Sequence, residues 1–149
     1  MEYVSLIISC ITILFTLYSY RTNVIHDRKI ATLDSFNTLQ NEVLDNINRY
    51  SPKQVEEIAQ HPRSEEYKAL SCLLARLEHF SVGVNSKIYD QNTVQRLTGV
   101  YFISIFNKMK PMIAKKRKIR TNEKHYDEFE KLVLSIGKQY PDENVTEIE

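Results

Sequence analysis

Acid–base chemistry is the first function that neighbouring residue types in this chain suggest. Glu78 and His79 are adjacent, and Arg76 lies two positions before Glu78. A carboxylate whose pKa is shifted by burial or by a nearby cation could exchange a proton with a substrate, and an imidazole titrates near neutral pH. The same residues also fit a structural ion pair or a polar helix surface, which we favour. We therefore keep Glu78 and His79 as a candidate polar site and expect no catalytic residue and no enzyme activity.

A run of cations near the end of the chain is its densest cluster of charge. It comprises Lys115, Lys116, Arg117, Lys118 and Arg120. Such a run could contact phosphate in nucleic acid or lie against anionic lipid, where each cation contributes about 1 kcal/mol. Alternatively it is a solvated helix end whose cations suit the helix dipole and pair with acids such as Glu123 and Asp127. The net charge of +1 and the lack of interleaved aromatic residues disfavour nucleic acid as a partner.

Metal and cofactor chemistry have no sequence signature here. The four histidines fall in separate segments, and no two of them are spaced four apart as metal ligands on one helix would be. Cys10 and Cys72 both lie within apolar patterns, which predicts reduced, buried side chains. No glycine-rich phosphate loop or nucleophile elbow occurs. We expect no metal site and no cofactor.

An uncharged segment from Tyr3 to Tyr20 predicts a membrane anchor. As a helix, these 18 residues would span about 27 Å, enough for one crossing of the hydrocarbon. Tyrosines at both ends suit the headgroup level, and the Ser and Thr hydroxyls can bond to the preceding helical turn. We therefore predict a transmembrane helix over residues 1–21 and a lipid bilayer as one partner.

The flanks of this segment predict its orientation. Arg21, Arg28 and Lys29 follow the span, whereas no cation precedes it. The positive-inside rule then places the N-terminus outside and the C-terminus in the cytoplasm, in a single pass through the inner membrane. A cleaved signal peptide is disfavoured because Met1-Glu2 is no basic leader and the exit offers no small-residue cleavage site. A buried core helix is disfavoured because the segment is apolar on every face.

The rest of the chain predicts an all-α fold, in which the membrane helix extends into a cytoplasmic helical bundle. Only 3 Gly and 4 Pro are available for turns. We expect a domain over residues 22–140 and an acidic, flexible tail over residues 141–149. The first helix should run to about Tyr50, and Ser51-Pro52 should start a helix that ends near His61-Pro62.

Three further helices follow from start signals and apolar periodicity. Ser64 should start a central core helix, and Asp90 should start the next one. That next helix should bury a face of Val94, Leu97, Tyr101, Ile105 and Met109 and should kink or open at Pro111. Asn122 is the predicted cap of the last helix, whose inward residues are Tyr126, Phe129, Leu132, Val133 and Ile136.

A motif in the middle of the chain resembles a known family. It combines an apolar pair, a glutamate, an apolar-apolar-Gly-apolar turn and an apolar-x-Asp helix start. Here these are Leu73-Leu74, Glu78, Val82-Gly83-Val84 and Ile88-Tyr89-Asp90, with looser agreement at Pro111, Arg117 and Phe129-Glu130. The pattern is similar to a family of small, uncharacterised bacterial membrane-anchored proteins with a cytoplasmic helical domain, although that family commonly has Asn near Ala75 or Arg76. The resemblance implies the anchor and the fold, and no established activity.

These observations favour a binding function over catalysis. We expect a membrane-anchored protein-interaction module that binds a protein partner or a second copy of itself. The alternative is a membrane-perturbing effector in phage exclusion or a toxin system, because Ser5, Ser9, Thr12, Thr16 and Ser19 could line an interface between membrane helices.

Overall fold

The computed structural model describes residues 2–120 and 124–140, and this part of the chain forms α-helices and no β-strand. The all-α prediction is confirmed. A π-helical turn, Gln40–Leu44, joins the first two helices into one continuous rod. The α-helices are α1 (Glu2–Leu39), α2 (Asp45–Asn48), α3 (Pro52–Gln60), α4 (Glu65–Asn85), α5 (Gln91–Arg120) and α6 (Asp127–Gly137).

Helix α1 has two parts that meet different surroundings. Residues 3–18 are exposed, and burial begins with Thr32 and Phe36, which face the bundle. Among the described residues, α1 is long and apolar enough to cross a membrane. The rest of the protein buries none of its apolar 18-residue segment, which we call the apolar window. As predicted, the helix continues past residue 21, and through the π turn and α2 it runs to Asn48, close to the expected end near Tyr50. The predicted tail over residues 141–149 lies outside the described residues.

Local start signals set the ends of the middle helices as predicted. The hydroxyl of Ser51 accepts the N–H of Gln54, whose side chain in turn accepts the N–H of Ser51. Ser64 caps α4 by accepting the N–H of Tyr67, and Asp90 caps α5 by accepting the N–H of Thr93. Each cap satisfies an amide group that has no partner within its own helix.

Aromatic rings form the centre of the core between α1, α4, α5 and α6. Phe102 packs edge-on against Phe80 and Phe129, with ring centroids 6.2 and 6.1 Å apart, and Phe106 meets Phe129 at 5.6 Å. Phe36 of α1 lies 6.5 Å from both Phe80 and Phe102. Edge-to-face contacts at these distances add to the stabilisation that burial of the rings provides.

Helix α5 departs from the prediction at Gly99. The backbone is non-helical there, at φ 31° and ψ −116°, whereas Pro111 lies inside the helix without such a break. On the two sides of this break, Leu97 is 44% exposed and Tyr101 is 37% exposed, while Phe102, Ile103 and Phe106 are buried instead. The predicted buried face was therefore wrong at Leu97 and Tyr101. The predicted kink at Pro111 is also wrong, since the helix breaks instead at Gly99, where the positive φ suits glycine.

The predicted burial of Cys10 and Cys72 was wrong, and the predicted cap of the last helix lies outside the described residues. Cys72 is exposed, not buried, and Cys10 is exposed on α1. Helix α6 begins at Asp127, after Tyr126 in the left-handed conformation at φ 63°. The predicted cap Asn122 lies outside the described residues, but all five predicted inward residues of α6 and its approach are buried.

The turn between α4 and α5 is shaped by a close approach of Tyr89 to Gly83. The carbonyl of Gly83 accepts the N–H groups of Ile88 and Tyr89 at 2.9 and 3.0 Å. A Cβ at Gly83 would lie 2.5 Å from the Tyr89 ring, which stacks on Phe80 with ring centroids 5.3 Å apart. The N–H of Asp90 donates to the Thr32 hydroxyl at 2.8 Å, so this turn is tied to α1.

We predict that Gly83→Ala destabilises the fold by about 1–3 kcal/mol, because the new methyl group overlaps the Tyr89 ring. The measurement is thermal unfolding of the full chain in detergent micelles, followed by circular dichroism. In a Tyr89→Ala background the same substitution should be neutral or stabilising, since alanine favours a helix by about 1 kcal/mol over glycine. An equal loss in both backgrounds would contradict the steric explanation.

Candidate functional site

Glu78 caps the last helix from a distance of fifty residues along the chain. Its two carboxylate oxygens accept the N–H of Glu128 at 3.1 Å and the N–H of Phe129 at 2.8 Å. Helix α6 has no side-chain cap from its own N-cap residue, Tyr126. A carboxylate at this position satisfies two free amide groups and faces the positive end of the helix dipole.

Burial raises the pKa of the Glu78 carboxyl above its ordinary value. The N–H groups of Phe129 and Glu128 act in the opposite direction, and the negative charges of Glu128 and Asp127 add to the increase. Glu128 itself behaves differently, because the Asn85 amide and the Lys131 ammonium hold the pKa of its carboxyl below the usual range. Proton transfer to a substrate would have to use oxygens that already accept two N–H groups of α6.

His79 faces away from Glu78 and lines a groove between α1 and α4. The groove has a volume of about 560 Å³ and is open to solvent. Its lining residues from α1 and the π turn include Asp34, Leu39 and Glu42, and those from α4 include Arg76 and His79. The two adjacent residues of the predicted polar site therefore lie on different surfaces, and the structure does not bring them into one site.

An ion pair between Glu42 and Arg76 crosses this groove. The Arg76 guanidinium donates to the Glu42 carboxylate, and the two side chains are 57% and 53% exposed. Glu42 lies in the π turn, and turns of this kind occur frequently at functional sites. Because exposed ion pairs contribute between about 0 and 1 kcal/mol, this one can open at little cost.

The basic run divides into buried and exposed members. The Arg117 guanidinium pairs with Glu130 at 2.6 Å, and these side chains are only 13% and 11% exposed. Arg117 also donates its Nε–H to the carbonyl of His125 at 3.0 Å, which holds the segment before α6. Lys115 and Lys116 are half-buried, Lys118 is exposed, and the side chain of Arg120 lies outside the description. Arg117 is therefore engaged within the fold.

The expected acidic partners of the run are arranged differently. Asp127 pairs with Lys131 of its own helix, at 2.7 Å, and Glu123 lies outside the described residues. The Lys116 ammonium instead lies 5.7 Å from the centre of the Tyr67 ring, in the first turn of α4. A cation over an aromatic face is attracted by the ring's negative surface.

These contacts place the basic run at the end of the bundle farthest from the apolar half of α1. Helix α4 runs antiparallel to α1, because Arg76 meets Glu42 whereas Phe80 meets Phe36. Tyr67, beside Lys116, is therefore near the distal end of α4, and the opposite end of α4 leads to Asp90 beside Thr32. The length of α4 separates these ends by about 30 Å. Lipid contact there would require the bundle to lie along the membrane.

No group of three or more His, Cys, Asp and Glu residues suited to a metal ion occurs in residues 2–120 and 124–140. The groove and the Glu42–Arg76 pair were not foreseen. Glu42 and Arg76 are 34 positions apart, and no local sequence pattern predicts the π turn. The amphipathic pattern of α4 was a usable signal for a groove beside that helix, but it does not say which helix forms the other wall.

The fold and the groove define an all-α protein with one apolar N-terminal helix suited in length to a membrane, joined to a helical bundle. The chain belongs to the family described as domain of unknown function DUF4760, whose model matches residues 6–136. The expected membership of an uncharacterised family is confirmed to that extent. No curated protein and no solved structure matches the chain.

We predict that Glu78→Ala destabilises the fold by about 1–2 kcal/mol, because two amide groups of α6 lose their acceptor. Denaturant unfolding of the full chain in detergent micelles measures the loss. Glu57→Ala, at an exposed position of α3, is the matched control and should change the free energy of unfolding by less than about 0.5 kcal/mol. Equal effects of the two substitutions would refute the capping role.

The raised pKa of Glu78 also predicts a pH dependence. Between the ordinary value of 4.5 and the raised value, the folded chain holds a proton that the unfolded chain has released. The stability contributed by Glu78 therefore rises as the pH falls through this window. Compared with Glu78→Gln, which does not titrate, the native chain should gain stability between neutral pH and a pH below 4.5. A difference that stays constant or grows with rising pH would contradict the assignment.

We predict that Arg117→Ala costs about 3–5 kcal/mol, because it leaves the Glu130 carboxylate buried without its guanidinium partner. Lys118→Ala, which removes an exposed neighbouring cation, should change stability by less than about 0.5 kcal/mol. Replacing both partners, as Arg117→Met with Glu130→Leu, should restore most of the loss. Thermal unfolding of the four chains makes the comparison, and similar melting temperatures for both alanine variants would argue against a buried pair.

Proposed function

We propose that this chain is a membrane-anchored protein-interaction module at the cytoplasmic face of the inner membrane. The observation that carries the proposal is the uncovered apolar surface of α1. Its apolar window is not buried by the bundle, yet the same helix continues to Phe36 and Leu39 in the core. A helix built in this way holds a folded domain at a fixed distance from a bilayer.

The charges beside the apolar segment support the proposed orientation. Arg21, Arg28 and Lys29 lie on α1 between the span and the bundle, and Arg21 and Lys29 are exposed. Cations beside a span favour the cytoplasmic side. The N-terminus is then outside, and the bundle and the C-terminus are inside, in a single pass.

Binding is favoured over catalysis by the roles of the charged residues. Glu78 is engaged with α6, and Arg117 is engaged with Glu130. The exposed apolar residues Ile25 and Ile30 on α1, and the groove beside α4, offer surfaces to a protein partner or to a second copy of the chain.

Hydrogen bonds within the apolar segment support a tether over a membrane-perturbing effector. The hydroxyls of Ser9, Thr12 and Thr16 donate to the carbonyls four residues earlier, at 2.8–2.9 Å. Hydroxyls that are satisfied in this way do not need partners on other membrane helices.

We predict that an unrelated membrane span can replace residues 3–20 without loss of binding. A reporter active only in the cytoplasm, fused after Glu149, reads the topology, and in-cell crosslinking with mass spectrometry reads the bound proteins. We expect a cytoplasmic reporter, membrane localisation and the same crosslinked proteins for the native and exchanged chains.

A periplasmic reporter would refute the orientation. Loss of the crosslinked proteins after exchange, or a collapse of the membrane potential on overexpression of the native chain alone, would favour the effector. A reporter fused to a chain lacking residues 3–20 serves as the soluble control.

A further inference from the structure

The groove between α1 and α4 has the shape of a vacant position in a helical bundle. Residues 34, 35, 38, 39, 42 and 43 line one side, and residues 75, 76, 79 and 80 line the other. On each helix, pairs of adjacent residues recur every four positions, so they lie along a single face. The first set extends about 14 Å along the helix axis, the length of a helix of nine or ten residues.

The base of the groove is apolar, and its sides include short side chains. Leu39, Val43 and Phe80 are buried side chains that line it. Ser35 and Ala75, on opposite sides, are short and let another backbone come close. Helices dock into such a groove by inserting apolar side chains spaced three and four apart.

The acidic residues of the groove lie on one wall and its basic residues lie on the other. Asp34 and Glu42, about 12 Å apart along α1 and the π turn, give that wall two carboxylates. Arg76 gives the α4 wall a cation, and His79 lies beside it on the same wall. Asp34, His79 and the paired side chains of Glu42 and Arg76 are all exposed, so they can contact a bound molecule.

We propose that this groove binds an amphipathic helix of a partner protein, with Lys or Arg beside its apolar stripe toward α1 and Asp or Glu on the side toward α4. The inference rests on the proposed function and names the docking surface and the chemistry of the partner. Charge complementarity selects this occupant. Once the exposed Glu42–Arg76 pair opens, one wall presents the carboxylates of Asp34 and Glu42 and the other wall presents the guanidinium of Arg76.

Other occupants fit the groove less well. A lipid tail is out of reach, because residues 34–43 follow Tyr20 by 14 to 23 positions, or about 21–35 Å along the helix. A small apolar molecule would remain largely in water, since the groove is open to solvent, whereas binding pockets cover most of a ligand's surface.

The test uses three synthetic helical peptides with identical apolar residues at i, i+3 and i+7. One carries lysine on one flank and glutamate on the other, the second carries lysine on both, and the third carries glutamate on both. Each is titrated by fluorescence anisotropy against the full chain in lipid nanodiscs. We expect the mixed peptide to bind about tenfold more tightly than either uniform peptide.

Two variants and a control locate the binding. Arg76→Glu makes both walls acidic, so the preference should shift to the all-lysine peptide. Ala75→Trp fills the groove from an exposed position and should weaken all binding at least about tenfold. Lys118→Glu makes the same charge change as Arg76→Glu at an exposed position outside the groove and should leave the order of the peptides unchanged. Circular dichroism verifies that each variant is folded.

Three outcomes would overturn the proposal. The first is no binding of any peptide to the native chain, and the second is an order of affinities that Arg76→Glu does not alter. The third is a native dimer in nanodiscs that the mixed peptide dissociates, because the groove would then hold a second copy. None of these changes the topology result, so a wrong docking site and a wrong membrane tether are distinguishable.

Discussion

The uncovered apolar surface of α1 is the constraint on which the arrangement of this molecule depends. Apolar side chains gain roughly 25 cal/mol for each Å² removed from water, and the bundle removes none of the apolar window of α1. Farther along, the same helix contributes Phe36, Leu39 and, through the π turn, Val43 and Leu44 to the core. Both hydrophobic surfaces lie on one continuous helix. The position of the bundle is therefore fixed relative to whatever covers the exposed surface.

Two charged residues from the candidate sites of the sequence analysis hold the last helix. Glu78 binds the start of α6 through backbone amide groups, and Arg117 binds Glu130 one turn farther on. Gly83 and Asp90, from the motif that resembles an uncharacterised family, also have structural roles at the turn between α4 and α5. In this chain the motif therefore describes how the bundle closes, and the exposed groove lies beside it.

Features that depend on neighbouring residues could be read from the sequence. The caps at Ser51, Ser64 and Asp90 were predicted because each acts on an amide group three positions away. The break at Gly99 could not be predicted, because Gly99 lies against Tyr140, a residue far away in the chain whose hydroxyl would lie 2.8 Å from a Cβ at position 99. The capping by Glu78 and the pairing of Glu42 with Arg76 join residues far apart in the chain. Local periodicity therefore cannot predict either interaction.

In the proposed membrane-anchored arrangement, the continuity of α1 makes it a lever between the bilayer and the groove. The groove begins about 21 Å and ends about 35 Å beyond Tyr20 along the helix. If the membrane-embedded part tilts by about 20°, an ordinary angle for such helices, the groove moves sideways by about 10 Å. Rotation of the span about its axis turns the groove through the same angle, because the α-helix and the π turn follow one another without a loop. For a chain anchored as proposed, a change in bilayer thickness that tilts the span would displace the groove.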